Sequence, residues 1–256
     1  MSIACEVTSF RRGPASCARA RLGGVVSRAD VRHVRAAVRS VLVDEQSVVL
    51  DIADLRLHHP ASVGAFSDAL TAVGGWPVAR LVLVGPQARV RAALTASGVA
   101  REVPVAADAS SGRARLQSRP DKVTRRLGLR PEPSAPRRAS AFVAVAGSAW
   151  NVEQFVCEDA AAVATELVTH AVERARSGIH TASLDRSGLY IALRDFDPCR
   201  ASTPRTRADM PAAPEVDCVA SRSAESGVIV RSDGRVVWAL FPTQPATTTQ
   251  NYRSGG

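Results

Sequence analysis

Glu166 and His170 stand four residues apart in the stretch EDAAAVATELVTHAVERARSG. On a helix that spacing places a carboxylate and an imidazole one turn apart, with Cβ atoms about 6 Å from each other. Such a pair can serve a catalytic or metal site, or form an ordinary surface Glu–His pair. A second group lies in RLHHPASVGAF, where His58 and His59 precede Pro60 and Ser62. Adjacent histidines could start a metal site, but no third ligand with suitable spacing stands nearby, and a solvated loop pair is the plainer reading. A third candidate is Asp195, at the end of the apolar run LYIALRD.

The elements that must position these residues fall into two patterns. Ala160, Val163, Ala164, Leu167, Val168 and Ala171 form an apolar stripe at 3,4 spacing, so a helix is expected there with Glu166 and His170 along one flank. Another helix is expected over 140–150. After 177 only strands are expected: HTASL-DRSG-LYIALRD and VIVR-SDG-RVVWALF read as two hairpins, each with a glycine-containing turn. Helices followed by antiparallel strands predict a two-layer α+β sandwich.

Before residue 119 the order alternates. ARARLGG, SVVLDIADL, ARLVLVG and REVPV read as strands. Helices are expected at Val34, Val38, Val41 and Leu42, at Val63, Phe66, Leu70 and Val73, and over PQARVRAALTASGV, closed by Gly98. A final helix is expected between 107 and 119. Such alternation predicts an α/β unit with a largely parallel sheet covered by helices. Pro60 suits the first turn of the second helix.

The chain has 256 residues, 46% of them apolar, and a net charge of +9. That length allows two ordinary domains. No apolar run approaches the ~20 residues of a membrane span, no signal peptide is read at the start, and five scattered cysteines without a C-x-x-C pair fit a reduced, cytoplasmic protein. Between residues 113 and 138 nine basic residues face only Asp121 and Glu132, so this stretch carries +7 of the +9. With Pro120, Pro131, Pro133 and Pro136 it reads as an exposed, stiff linker. The expected organisation is a first domain over 1–119, a linker over 120–136, a second domain over 137–242 and a polar tail over 243–256. A basic tether to nucleic acid is an alternative role for the linker; it would supply only non-specific affinity.

Two stretches carry a further signal. VVLDIADLRLHHPASVGAFSDAL and ARLVLVGPQARVRAALTASGVAREVPV resemble the STAS domain of bacterial anti-sigma-factor antagonists, over about 7–117. In that family a strand ending in Asp leads to a loop D-S-S-G-L at a helix start, and the first serine of the pair is phosphorylated to release the partner. The resemblance puts the strand-end acid at Asp51, the loop Asp at His59, the phosphorylated Ser at Pro60, the next Ser at Ala61 and the Gly at Ser62. Proline has no hydroxyl, so the phosphoacceptor loop of His59, Pro60 and Ser62 is degenerate. Ser62 is the one displaced acceptor left to consider.

EDAAAVATELVTHAVERA, LYIALRDFDP and SDGRVVWALF resemble the serine-kinase anti-sigma factors, within the superfamily of gyrase, heat-shock chaperone and histidine-kinase ATPases, over about 137–242. The resemblance makes Glu166 the residue that positions water or the attacking hydroxyl. It puts His170 at the Asn that holds Mg²⁺ and makes Asp195 the reader of the adenine amino group. Imidazole is a poor substitute in an octahedral oxygen shell. The family's glycine-rich lid falls on PRTRADMPAAPEVDCV, which has no glycine. Glu166, His170 and Asp195 are therefore expected to be a vestigial ATP pocket without a bound cofactor. The resemblances together imply a regulator of sigma-factor partner switching that binds a kinase anti-sigma factor or a sigma factor. An active ATP-dependent serine kinase using Glu166 and Asp195, and a nucleic-acid-binding protein acting through the linker, are the competing readings.

Overall fold

Alternating apolar residues in short strands build the first sheet of the computed structural model, which describes residues 4–10, 17–174, 176, 178–185, 187–196, 219–231 and 233–243. In chain order its elements are β1 (Ala4–Phe10), β2 (Cys17–Val26), α1 (Val31–Glu45), β3 (Ser47–Asp51), β4 (Leu55–Leu57), a 3-10 turn at Pro60–Val63, α2 (Gly64–Ala72), β5 (Arg80–Val84), α3 (Ala88–Ala96), α4 (Val99–Glu102), β6 (Val105–Ala106) and α5 (Ala109–Arg115). The strand order is β1-β2-β3-β5-β6, with β4 beside β2. All pairings are parallel except β1 with β2.

Period-two alternation sends neighbours to opposite faces. Val48, Leu50, Leu81 and Leu83 join the main core with Val34, Val38, Phe66 and Leu94 from the helices. Val49, Val82 and Val84 face the other side, where Ala106 and Leu116 complete a smaller cluster. Helix α5 lies close on that face at Gly112, where a Cβ would stand 2.8 Å from Val84 Cγ1. Gly98 closes α3 in the left-handed region at φ +77°. Three elements differ from expectation. SVVLDIADL ends as a strand at Asp51, and a separate β4 follows at Leu55–Leu57. Strand β1 lies outside the expected set, and REVPV is helical at its start, since the Gly98 turn launches α4 through Arg101 N–H to Gly98 O.

The second sheet has the order β10-β11-β9-β8-β7. Its elements are β7 (Val123–Leu129), α6 (Ala135–Ala149), α7 (Gln154–Glu173), β8 (Gly178–Asp185), β9 (Gly188–Phe196), β10 (Glu225–Arg231) and β11 (Gly234–Phe241). Both expected hairpins form, and β9 and β11 pair antiparallel at the centre. Helix α6 packs along α7, which lies against β9 and β11. The fold class is thus α/β with a largely parallel sheet, followed by a separate antiparallel sheet with helices.

Residues 120–136 are not the exposed linker expected of them. The chain divides into Met1–Arg126 and Leu127–Gly256, a boundary that falls inside β7. Val123, Thr124 and Leu129 are buried. Several of the basic residues are tied into the first unit: Lys122 Nζ lies 2.9 Å from Glu102 Oε1, Arg126 Nη1 lies 3.1 Å from Asp68 Oδ1, and Arg125 Nε donates to Gly74 O at 3.1 Å. Burial alone would push the Glu102 carboxyl up, but hydrogen bonds from Ser67, Lys122 and Thr124 outweigh it and hold it below its ordinary value. Helix α6 starts five residues before the expected 140 because Pro136 sits in its first turn, where a fixed φ and a missing N–H cost nothing. The expected lid, most of the DFDPCR turn and nearly all of the tail lie outside the described residues.

Candidate functional site

The loop after β4 stands at the carboxyl edge of the first sheet, where His58 N–H donates to Val26 O at the end of β2. His59 has extended backbone angles and caps the 3-10 turn: its Nδ1 accepts from Ala61 N–H at 3.2 Å. Its Nε2 lies 2.8 Å from Arg28 Nη2. A neutral imidazole accepts at one nitrogen only, so the ring accepts from the Ala61 amide at Nδ1 or from Arg28 at Nε2, not from both at once. Pro60 occupies the first turn, as its sequence position predicts. Ser62 is 3% exposed and its Oγ has no hydrogen-bond partner. The turn therefore aims its hydroxyl into the core and leaves Pro60 at the start.

The acid at the end of β3 is bound up locally. Asp51 Oδ1 accepts from Ala53 N–H at 3.1 Å, and its Oδ2 lies 3.2 Å from Arg19 Nη2. Asp54 pairs with Arg21 in the same way. Two carboxylates at this edge thus face two guanidiniums from β2.

In the second unit α7 brings Glu166 and His170 together as expected. His170 Nε2 lies 3.2 Å from Glu166 Oε1, and its Nδ1 lies 3.2 Å from Glu173 Oε2. The ring is bracketed by two carboxylates of its own helix, and only the doubly protonated ring donates to both. Exposed pairs at this spacing contribute about 0.3–0.5 kcal/mol.

Asp195 is the most constrained of the expected site residues. It lies on β9, 3% exposed, directly opposite Arg235 in the β9–β11 register. Its Oδ1 accepts from Arg235 N–H at 3.1 Å, and its Oδ2 accepts from Arg235 Nε at 3.0 Å and Arg176 Nη1 at 3.3 Å. Arg235 is itself 6% exposed. Gly234 opens the hairpin strand at φ +152°, where a Cβ would lie 2.0 Å from Asp195 O. Only glycine lets β11 approach this closely.

Arg28, Arg176 and Arg235 were not among the expected site residues. Arg235 was within reach of sequence reasoning, because pairing the strand after SDG with LYIALRD sets it across from Asp195. Nothing in the sequence marks Arg28 or Arg176. Among the described residues no group of three or more His, Cys, Asp or Glu is placed to hold a metal ion, and no helix is long and apolar enough to cross a membrane.

No family model matches the chain, and no curated protein matches it. Among solved structures, the chain is similar to an anti-sigma factor antagonist from Mycobacterium paratuberculosis, at 11% identity and a TM-score of 0.35, over 44% of this chain and 96% of that one. It is also similar to the anti-sigma factor antagonist SpoIIAA in its unphosphorylated form, at 18% identity and a TM-score of 0.30, over 43% of this chain and 92% of that one.

Proposed function

We propose that this chain is a regulator of sigma-factor partner switching, of the anti-sigma-factor antagonist type. It works by binding a protein partner, a kinase anti-sigma factor or a sigma factor, and has lost the phosphoacceptor and the nucleotide chemistry of the families it resembles. The observation that carries this reading is the loop of Pro60 and Ser62. The position that the resemblance gives to the phosphoserine is a proline inside a 3-10 turn, and the hydroxyl two residues on is buried. A kinase would have to unfold the turn to reach Ser62. The charge that releases the partner in the resembled family has no place to be added here, so binding stays on.

The second unit supports the same reading. Three donors already point at Asp195, and two of them are guanidinium N–H groups, of Arg235 and Arg176. A purine amino group would have to displace a buried ion pair to reach it, which is unfavourable because it strands the guanidiniums. His170 puts an imidazole where a magnesium ion needs an oxygen ligand. The residues present therefore do not fit a magnesium–nucleotide complex, and this domain acts as a binding surface.

The test uses the full chain against purified kinase anti-sigma factors and sigma factors from the same genome, with and without Mg-ATP. One of them should bind, and the affinity should survive incubation of the chain with the kinases and ATP. Pro60→Glu, which adds a charge at the turn, should weaken binding by about tenfold or more. Stoichiometric phosphate on Ser62 that abolishes binding, or micromolar ATP binding by the chain itself, would sink the proposal.

A further inference from the structure

The amino edge of the first sheet lies opposite the edge that carries His59 and Pro60. There β2, β3 and β5 begin at Cys17, Ser47 and Arg80. A cleft of about 540 Å³ opens along this edge, walled by the end of α5 and the residues after it. A smaller cleft of about 200 Å³ adjoins it and shares Cys17 and Arg113. The larger volume falls within the range of about 300–1,000 Å³ usual for small-molecule sites.

The lining has one sign of charge. Arg80 and Arg113 both line the cleft, and no aspartate or glutamate does among the described residues. At other places in the unit, Arg19, Arg21 and Arg126 are each matched by a carboxylate. Among the described residues no ion pair engages Arg80 or Arg113. Arg80 is nonetheless held in place: its backbone N–H donates to Gln46 O at 2.7 Å and its Nη1 lies 3.4 Å from Gln117 Oε1. Beside the guanidiniums the wall is mixed: Ser47 and Gln117 are polar, while Pro77 and the half-exposed Val78 give it an apolar patch. A guanidinium presents paired N–H donors that match a phosphate or carboxylate, and it is weakly hydrated enough to hold one against an apolar wall.

We propose that this cleft binds a small molecule with an oxyanion head, phosphate or carboxylate, on a compact apolar body. The head sits on Arg80 and Arg113 and the body covers Pro77 and Val78. The site lies wholly within the first unit and stands whether or not the partner-switching reading holds.

Phenyl phosphate is the first probe, titrated calorimetrically into the full chain, with benzoate, inorganic phosphate and phenol in parallel. Cys17 lines both clefts, so its alkylation by iodoacetamide, followed by peptide mass mapping, gives a readout independent of heat. Phenyl phosphate or benzoate should bind at sub-millimolar concentration, whichever binds identifying the head, and should slow Cys17 alkylation several-fold. Arg113→Ala and Arg80→Ala should each weaken binding by about tenfold or more, the loss of a charge-assisted hydrogen bond. Arg91→Ala, an exposed arginine outside the lining, should leave it unchanged. Far-UV circular dichroism should show the fold intact in all three. No saturable binding of either probe below about 10 mM, a regime too weak to be specific, would overturn the proposal. So would affinity indifferent to both lining arginines, or inorganic phosphate binding as tightly as phenyl phosphate.

Discussion

Replacing Asp195 by Asn separates a carboxylate kept for ligand from one kept for the fold. The asparagine retains Oδ1, which can still accept from Arg235 N–H. In place of Oδ2 it puts an NH₂ group, a donor, against Arg235 Nε and Arg176 Nη1, the two donors now 3.0 and 3.3 Å from that oxygen. The side chains of Asp195, Arg235 and Arg176 are 4%, 7% and 18% exposed, so water cannot replace the lost acceptor freely. Removing one partner of a buried ion pair costs about 3–5 kcal/mol, most of it from the stranded charge. At a urea m-value of about 2 kcal/mol per molar, the second unit should unfold at a midpoint about 1.5–2.5 M lower. Urea titration followed by the tryptophans Trp150 and Trp238 of that unit measures this directly, with ATP binding tested on the same samples. A midpoint within about 0.3 M of the parent, a loss too small for a stranded buried charge, would refute the reasoning. It would refute it most clearly if the parent bound ATP and the variant did not.

Other expectations follow from single side chains. Burial holds the His180 imidazole down at about 4 from an ordinary 6.5, opposed only in part by the Ala192 carbonyl. The ring is neutral in the fold, so the unfolded chain takes up the proton first: stability is full above pH 6.5 and falls by about 3 kcal/mol as pH drops toward 4. Denaturation at a series of pH values should show that loss in the parent and not in His180→Phe; parallel curves would count against it. Gly147→Ala should destabilise the α6–α7 pair by about 1–3 kcal/mol, because its Cβ would stand 2.2 Å from Cys157 Sγ. Adding Cys157→Ala should restore most of the loss in thermal unfolding. Ser62→Ala removes a buried hydroxyl without a partner, so its stability should equal or exceed that of the parent, and a loss above about 1 kcal/mol would show a hidden partner.

The local pattern of residues determines the elements of both units, because helix and strand periodicities are written within a few turns of chain. The stripe Val34, Val38, Val41 and Leu42 and the stripe from Ala160 to Ala171 are buried as their spacing predicts. Gly98 ends its helix in the left-handed region, and β10 and β11 pair antiparallel as expected. The closeness of Glu166 and His170 is equally local, since a helix alone brings them within 3.2 Å. Burial and ion pairing across long stretches of chain are different, because they depend on which element lands beside which. Composition makes residues 113–138 a charged linker, yet Glu102 and Asp68, which are 20 and 58 residues from the cations they meet, turn part of it into an anchored strand. Ser62 is a candidate acceptor by sequence and becomes buried once the turn packs against α3. Asp195 is a strand-end acid until β11 pairs with β9 and sets Arg235 against it from 40 residues away. Periodicity within one element does not reach such contacts; which elements pack together, and in what register, decides them.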